Sequence, residues 1–492
     1  MPPQSPLPIS AGVSVGWGRR IASLVGFVLV FLVANYTFYS TFVLAEAVLL
    51  FSGTLENLFP HIAVELVSVL LGLVCAWVAG RYWRWTIRGS RKIRAPHHFF
   101  TKIVFWLFCF FVLVLFGLSL IPAIGGLMYR DIPSVNDKDL QLSVLSVPDN
   151  QNALADLMSA AKMFDDGSST EALADYTSAA QKPLFQDLSY ANPDTMSVAA
   201  VLPPLGTFRA IAKLNDSNAL DLAQQGKGSE ALSEVMTGLV LGEKLQQSRP
   251  RLIQWLVGVS IKENSLTTIQ TVLASTSIPS KNLIAFADQL KGQEDDTSGL
   301  IEAFKSEYHE FKNLYGWIAH GDVNAATSSL PINLPELSSI DRTNFYFHPN
   351  ETISYFADTA RHRIMLAQAS CTTQVSPDNV QKLAPENPLL WYITPDAMGK
   401  VLHDIVMTSL DSVKAKQCHE QMLLSATRVL VALKAYKQDN KHLPDSLDAL
   451  IPKYLSDMPL DPFSGQSFAY STTTKALSSA GSDKTTFFPI NF

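Results

Sequence analysis

The sequence predicts a mainly α-helical protein that is anchored in a membrane by three N-terminal helices and ends in a small α+β cap. Three observations predict it. A run from Ile103 to Met128 carries no charge, and it follows a loop holding Arg81, Arg84, Arg88, Arg91, Lys92 and Arg94 with no acid among them. From residue 153 to 438, apolar residues recur at helical spacing. Near the end, Phe468 and Tyr470 alternate around Ala469, as in a short strand.

The first 20 residues are polar and end in Arg19-Arg20. The apolar stretch that follows is longer than a signal peptide's hydrophobic core, which predicts an uncleaved first span over about 21–43. A second span covers about 62–80, and a third covers 103–128. Trp77, Tyr82, Trp83 and Trp85 cluster at the basic end of the second, where amphipathic rings favour the headgroup region. Glu46 and Glu65 fall towards the outer interface, where a solvated carboxylate costs little. Lys and Arg favour the cytoplasmic side. Arg19, Arg20 and the basic loop are therefore expected inside, and the loop carrying Glu56 and residues 129–492 outside. The expected location is the inner membrane of a bacterium, with the N-terminus cytoplasmic. Residues 1–128 are read as the membrane anchor, 129–395 as an extracytoplasmic helical domain, and 396–492 as a long helix plus the cap.

Charge divides along the same line. Residues up to Met128 hold nine Lys/Arg and three acids, and those from Tyr129 onward hold 29 Lys/Arg and 41 Asp/Glu. An acidic outer part without clustered Lys or Arg excludes nucleic acid as a partner. The basic loop is a topology signal that also meets anionic lipid. The cytoplasmic parts are too short to form a core, which excludes a cytoplasmic kinase, ATPase or DNA-binding domain.

Residues 131–149 read as a linker. Ala153, Leu154, Leu157, Ala160, Ala161 and Phe164 begin the helical part, and similar stripes cover 208–225, 229–247, 251–275, 280–291, 298–318, 352–370 and 397–438. Gly226, Pro250, Pro279, Thr297, Asn350 and Pro395 mark boundaries. Residues 320–350 and 372–395 are Pro- and Asn-rich connectors. Asn152-Ala153-Leu154 and Glu171-Ala172-Leu173 recur as Asn218-Ala219-Leu220 and Glu230-Ala231-Leu232, 66 and 59 residues later. The pair around Gly226, over about 218–247, resembles a tetratricopeptide hairpin, which implies a protein-binding groove. An irregular helical bundle is the alternative.

The tail carries the most specific pattern. Met422, Ala426, Val429, Leu433 and Tyr436 form one apolar stripe, with Arg428, Lys434 and Lys437 on other faces. Asp445 is expected to cap a short helix, with Asp448 completing a reciprocal cap and Pro452 ending it. Asp461-Pro462-Phe463-Ser464-Gly465 is turn chemistry. From Val429 to Asp483 this order of helix, turns and strand resembles the C-terminal part of type II secretion pseudopilins, a tail shared by many bacterial envelope proteins. The resemblance implies an envelope protein with a small α+β cap. The prepilin leader and the Asp-rich calcium loop of those proteins have no counterpart beyond Asp483.

Motifs for chemistry are scarce. His309-Glu310 lacks the second His of a zincin helix, and no nucleophile elbow or phosphate loop is present. His362, His403 and His419 could converge with Asp358 or Asp404, but no spacing requires it. Asp165-Asp166-Gly167-Ser168 reads as a turn, and Asn215-Asp216-Ser217 and Asn350-Glu351-Thr352 fit a glycosylation sequon that matters only in a secretory eukaryote. No catalytic residue, cofactor, metal or small-molecule ligand is inferred. Cys75 and Cys109 fall inside spans, so Cys371 and Cys418 are the candidate disulfide of an oxidising compartment. The expected function is that of a non-enzymatic anchor in the lipid bilayer whose helical outer domain binds other envelope proteins. An extracytoplasmic hydrolase and an accessory part of a secretion or pilus-like assembly are the alternatives.

Overall fold

The apolar stripes become helices whose ends are set by local chemistry. The computed structural model describes Gly125, Met128 and residues 129–319, 345–372, 382–407, 413–479 and 486–492, apart from positions 199, 248, 295–296, 388–389 and 391–392. The three expected spans (but for Gly125 and Met128), the basic loop, Cys75, Cys109 and Asp483 lie outside the described residues. Among the described residues no helix is long and apolar enough to cross a membrane. The chain divides into two compact units. One is Met1–Arg130, Thr343–Tyr346 and Pro385–Pro395; the other is Asp131–Arg342, Phe347–Ala384 and Asp396–Phe492. The ten helices and the sheet below all belong to the second.

Helices α1 (Leu154–Asp165) and α2 (Ser169–Gln181) form a hairpin, as do α3 (Leu205–Gln224) and α4 (Gly228–Gln246). Both turn on a glycine in the left-handed region, Gly167 at φ 84° and Gly226 at φ 79°. In each, the next N–H bonds back into the helix: Ser168 to the Met163 carbonyl at 2.8 Å, and Lys227 to that of Leu222 at 2.9 Å. This is the Schellman geometry, which only glycine enters without a Cβ penalty. The 59-residue echo is therefore structural, because it superposes the two turns and the Glu-Ala-Leu that follows each. The 66-residue echo is not. Asn152-Ala153-Leu154 leads into α1, whereas Asn218-Ala219-Leu220 lies within α3, far from its start.

The remaining helices are α5 (Leu252–Ser275), α6 (Ser280–Lys291), α7 (Ser298–Ala319), α8 (Pro349–Gln368), α9 (Ala397–Met407) and α10 (Val413–Asn440). Helices α4 and α5 approach closely at Gly242 and Gly258. A Cβ on Gly258 would stand 2.6 Å from the Gly242 carbonyl oxygen. The single stripe expected over 397–438 is two helices, α9 and α10, with 408–412 outside the described residues. The apolar periodicity runs through both and cannot by itself show where one ends.

Helix α10 is the axis of the core. Met422, Ala426, Val429 and Leu433 share one apolar cluster with Leu266 and Leu273 of α5, Leu283 and Phe286 of α6, and Leu447, Leu450, Tyr454 and Phe468 of the tail. Arg428 and Lys434, which the stripe sets on other faces, are buried as well. Arg428 pairs with Glu294 and lies 3.6 Å from Asp457. Lys434 Nζ donates to the Leu273 carbonyl at 2.9 Å and sits over the Phe492 ring. From Met422 to Ala435 nearly every residue of the helix is buried, so there its faces differ in partner rather than in solvent contact.

The tail closes this core with strands β1 (Ala469–Ser471), β2 (Ala476–Ser479) and β3 (Thr486–Pro489), antiparallel in the order β1-β2-β3. Leu477 and Phe488 are paired across β2 and β3 and face the cluster. Asp461 organises the expected turn. Its carbonyl accepts from the Gly465 N–H at 2.8 Å and its carboxylate from the hydroxyls of Ser464 at 2.9 Å and Ser479 at 2.7 Å. The expected reciprocal cap is absent. Residues Leu447–Leu450 form a single 3-10 turn preceded by Ser446, which makes no side-chain cap bond. A turn this short has few orphan N–H groups to satisfy, and burial of Leu447 and Leu450 holds it instead.

Candidate functional site

Two places in the second unit depart from an ordinary helical core. The first is a loop platform. Residues 187–202 carry two short 3-10 turns and hold their shape through Arg249 and Arg251, which flank Pro250 between α4 and α5. Arg251 donates to the Ala200 carbonyl at 2.9 Å and to Ser189 Oγ at 3.2 Å, and its guanidinium stacks 4.0 Å over the Tyr190 ring. Its Nε lies 3.9 Å from Asp187 and 4.0 Å from Glu310 of α7. Arg249, at φ 60°, donates to the Ala191 carbonyl. Burial, and then the Asp187 carboxylate, push Glu310 up to about 8. The loop held over these buried groups presents aliphatic side chains to solvent: Val201 is 89% exposed, Leu188 61% and Leu202 43%. Ile253, two residues beyond Arg251, is 48% exposed. Val144 joins them, because the Leu145 N–H bonds the Ala191 carbonyl at 2.9 Å.

The second place is a polar seam between α8 and α9. His348, Thr352, Thr359 and Arg363 recur at four- and seven-residue steps along α8 or just before it. Asp396 at the start of α9 is fully buried. It accepts from the His348 N–H at 2.9 Å and from the Thr352 hydroxyl at 3.0 Å. Burial raises its carboxyl to about 7, against those two hydrogen bonds. Gly399 makes room for it, since a Cβ there would meet Thr352 Oγ1 at 2.0 Å and the Asp396 carboxylate at 2.5 Å. One turn on, His403 Nε2 lies 2.8 Å from Thr359 Oγ1, and its Nδ1 lies 3.1 Å from Asp404 Oδ1. Asp404 also accepts the N–H groups of Leu383 at 3.0 Å and Ala384 at 2.9 Å. Burial lowers the His403 pKa, against the pull of Asp404.

The histidines named from the sequence do not converge. His403 and Asp404 meet, but His362 and Asp358 are exposed on α8, and His419 pairs with Glu263 at 2.7 Å on a solvated face. His309 bonds the Leu140 carbonyl, and Glu310 faces Arg251. Among the described residues no group of three or more His, Cys, Asp or Glu could hold a metal ion. Asp165, Asp166, Gly167 and Ser168 form the α1–α2 turn. Cys371 and Cys418 are joined, with S–S 2.11 Å and Cα–Cα 5.7 Å, which ties the segment after α8 to α10. Beside them Lys414 Nζ donates to the carbonyls of Ala367 at 3.0 Å and Ala369 at 2.7 Å, closing the end of α8. Sequence reasoning passed over Thr359, Asp396, Arg249 and Arg251. The one signal available was the run of polar residues at helical spacing from His348 to Arg363, which reads equally well as a solvated face.

No family model, curated protein or solved structure matches this chain.

Proposed function

We propose that this chain is a membrane-anchored protein of the bacterial envelope whose helical outer domain binds other envelope proteins through the 187–202 platform. The observation that carries the binding reading is the exposed aliphatic side chains Leu188, Val201 and Leu202 on a loop fixed from below by Arg249 and Arg251, with Val144 and Ile253 exposed on the segments beside it. Apolar side chains shown to water by a loop whose shape is already set lose little entropy on docking. The Cys371–Cys418 bridge fits an oxidising compartment outside the cytoplasm. The charge asymmetry around the apolar N-terminal runs supports the same orientation, and the resemblance of the tail to that of pseudopilins supports an envelope protein.

Two experiments test the two halves of this reading. Alkaline phosphatase fused after residue 166 is expected to be active, and fused after residue 92 inactive; the reverse would overturn the topology. Photocrosslinking from position 201 in intact cells is expected to capture a discrete envelope protein, and Leu188→Asp with Ile253→Asp to abolish the adduct. Adducts unchanged by those substitutions would remove the platform as the docking surface.

A further inference from the structure

With His403 neutral, the hydrogen bonds in the α8–α9 seam have one consistent polarity. The Asp404 carboxylate, already accepting two backbone N–H groups, accepts again from His403 Nδ1. In a neutral imidazole the other nitrogen is then an acceptor. The group 2.8 Å from it, the Thr359 hydroxyl, must therefore be the donor. Nucleophile, base and orienting carboxylate stand in that order, at the distances acyl-transfer sites use. Neutral imidazole is the form that burial favours. The ring is wedged edge-on against Phe356 at 5.4 Å and Tyr355 at 6.2 Å between centroids, which fixes its plane. Thr359 keeps part of its surface in solvent while His403 is buried. Arg363, one turn further along α8, places a positive charge whose field reaches His403.

We infer that Thr359 is an acyl-accepting nucleophile, activated by His403 and Asp404, for small carboxylic esters or activated amides. Thr359 Oγ1 attacks the acyl carbonyl carbon as its proton passes to His403 Nε2. The carbonyl oxygen becomes an alkoxide. On collapse the bond to the leaving group breaks, and that group departs with the proton from Nε2. Water then repeats the sequence on the acyl-threonine, giving a carboxylic acid and restoring the hydroxyl. Atoms and charge balance without any co-reactant but water. This assignment is independent of the binding platform.

The test uses the purified full-length chain with two probes, p-nitrophenyl acetate and an alkyne-bearing β-lactone, and locates the adduct by peptide mass spectrometry. An adduct on Thr359 is expected with at least one probe. It should persist in Thr359→Ser, disappear in Thr359→Val, and form about 10²–10⁴-fold more slowly in His403→Gln. Thermal melts of each variant separate loss of reactivity from loss of fold, and Thr359→Ser carries the test if the valine variant does not fold. No adduct with either probe, or labelling of His403→Gln at the wild-type rate, would reduce the three residues to a clasp between helices and overturn the inference.

Discussion

Helix α10 and the α8–α9 seam both bury charged residues, but they handle them in opposite ways. Around α10 the buried cations face carboxylates and carbonyls. Lys262 of α5 lies between Glu243 and Glu420, 2.5 Å from each, and Arg428 meets Glu294 and Asp457. The two glutamates hold the Lys262 ammonium above its ordinary range even though burial alone would lower it. In the seam, a carboxylic acid and an imidazole are each pushed towards neutrality by burial, and each also meets a hydroxyl, Thr352 at Asp396 and Thr359 at His403, with the Asp404 carboxylate on the other side of the imidazole. Paired charges fix how helices pack. Neutral titratable groups with hydroxyl partners keep the capacity to exchange protons, which is what a reactive site requires. A helical core therefore needs to be read for which buried polar groups are neutralised by partners and which by losing or refusing a proton.

Perturbing each region should give a different signature. The largest effect is expected at Leu433, which is fully buried on α10 beneath the tail. Leu433→Asp places an unpaired charge there. It should cost several kcal/mol, a large part of the roughly 5–15 kcal/mol that holds a domain. Limited proteolysis should then cleave residues 446–492 rapidly, and equal cleavage of wild type and variant would make the tail an appendage rather than part of the core. Next, Lys262→Met leaves Glu243 and Glu420 facing each other without their cation, at a cost of about 3–5 kcal/mol in urea unfolding. Adding Glu243→Gln and Glu420→Gln should restore most of it, because the penalty lies in the orphaned charges.

The disulfide links the two regions. Cys371→Ser with Cys418→Ser removes a closed loop and should cost about 2–4 kcal/mol. Amide exchange should quicken at the end of α8 and in α9, while the α5–α6–α10 core keeps its protection; uniform loss of protection would mean that the two regions unfold together. The smallest effect is expected from pH. The Asp396 carboxyl, with His348 and Glu351 beside it, and the Asp216 carboxyl against Ser265 are both raised to about 7, chiefly by burial, from an ordinary value of 3.8. Between those values the folded chain holds protons that the unfolded chain has released. Their stabilisation is therefore complete below about pH 4 and is lost as pH rises through about 7. A decline on the order of 2–3 kcal/mol per group is expected in the unfolding free energy from urea titrations between pH 5 and pH 8. Asp396→Asn should flatten it. A slope that stays the same in Asp396→Asn and Asp216→Asn would mean both carboxyls are ionised throughout.

The sequence by itself determined the helical class, most helix positions, the glycine turns at Gly167 and Gly226, and the strand at Ala469–Ser471. These are local matters: side-chain period, the left-handed preference of glycine and the fixed φ of proline act within a few residues. It also narrowed the candidate disulfide to Cys371 and Cys418, since only those two cysteines lie beyond the apolar N-terminal runs. Tertiary structure alone decided that Arg428 and Lys434 lie in the core. It alone brought Thr359 within 2.8 Å of His403, 44 residues away in the chain. The physical reason is that burial of a charge, or the meeting of a hydroxyl with an imidazole, depends on what lies across a helix interface. Spacing along one helix names the face on which a residue sits, but not the element that will come to cover it.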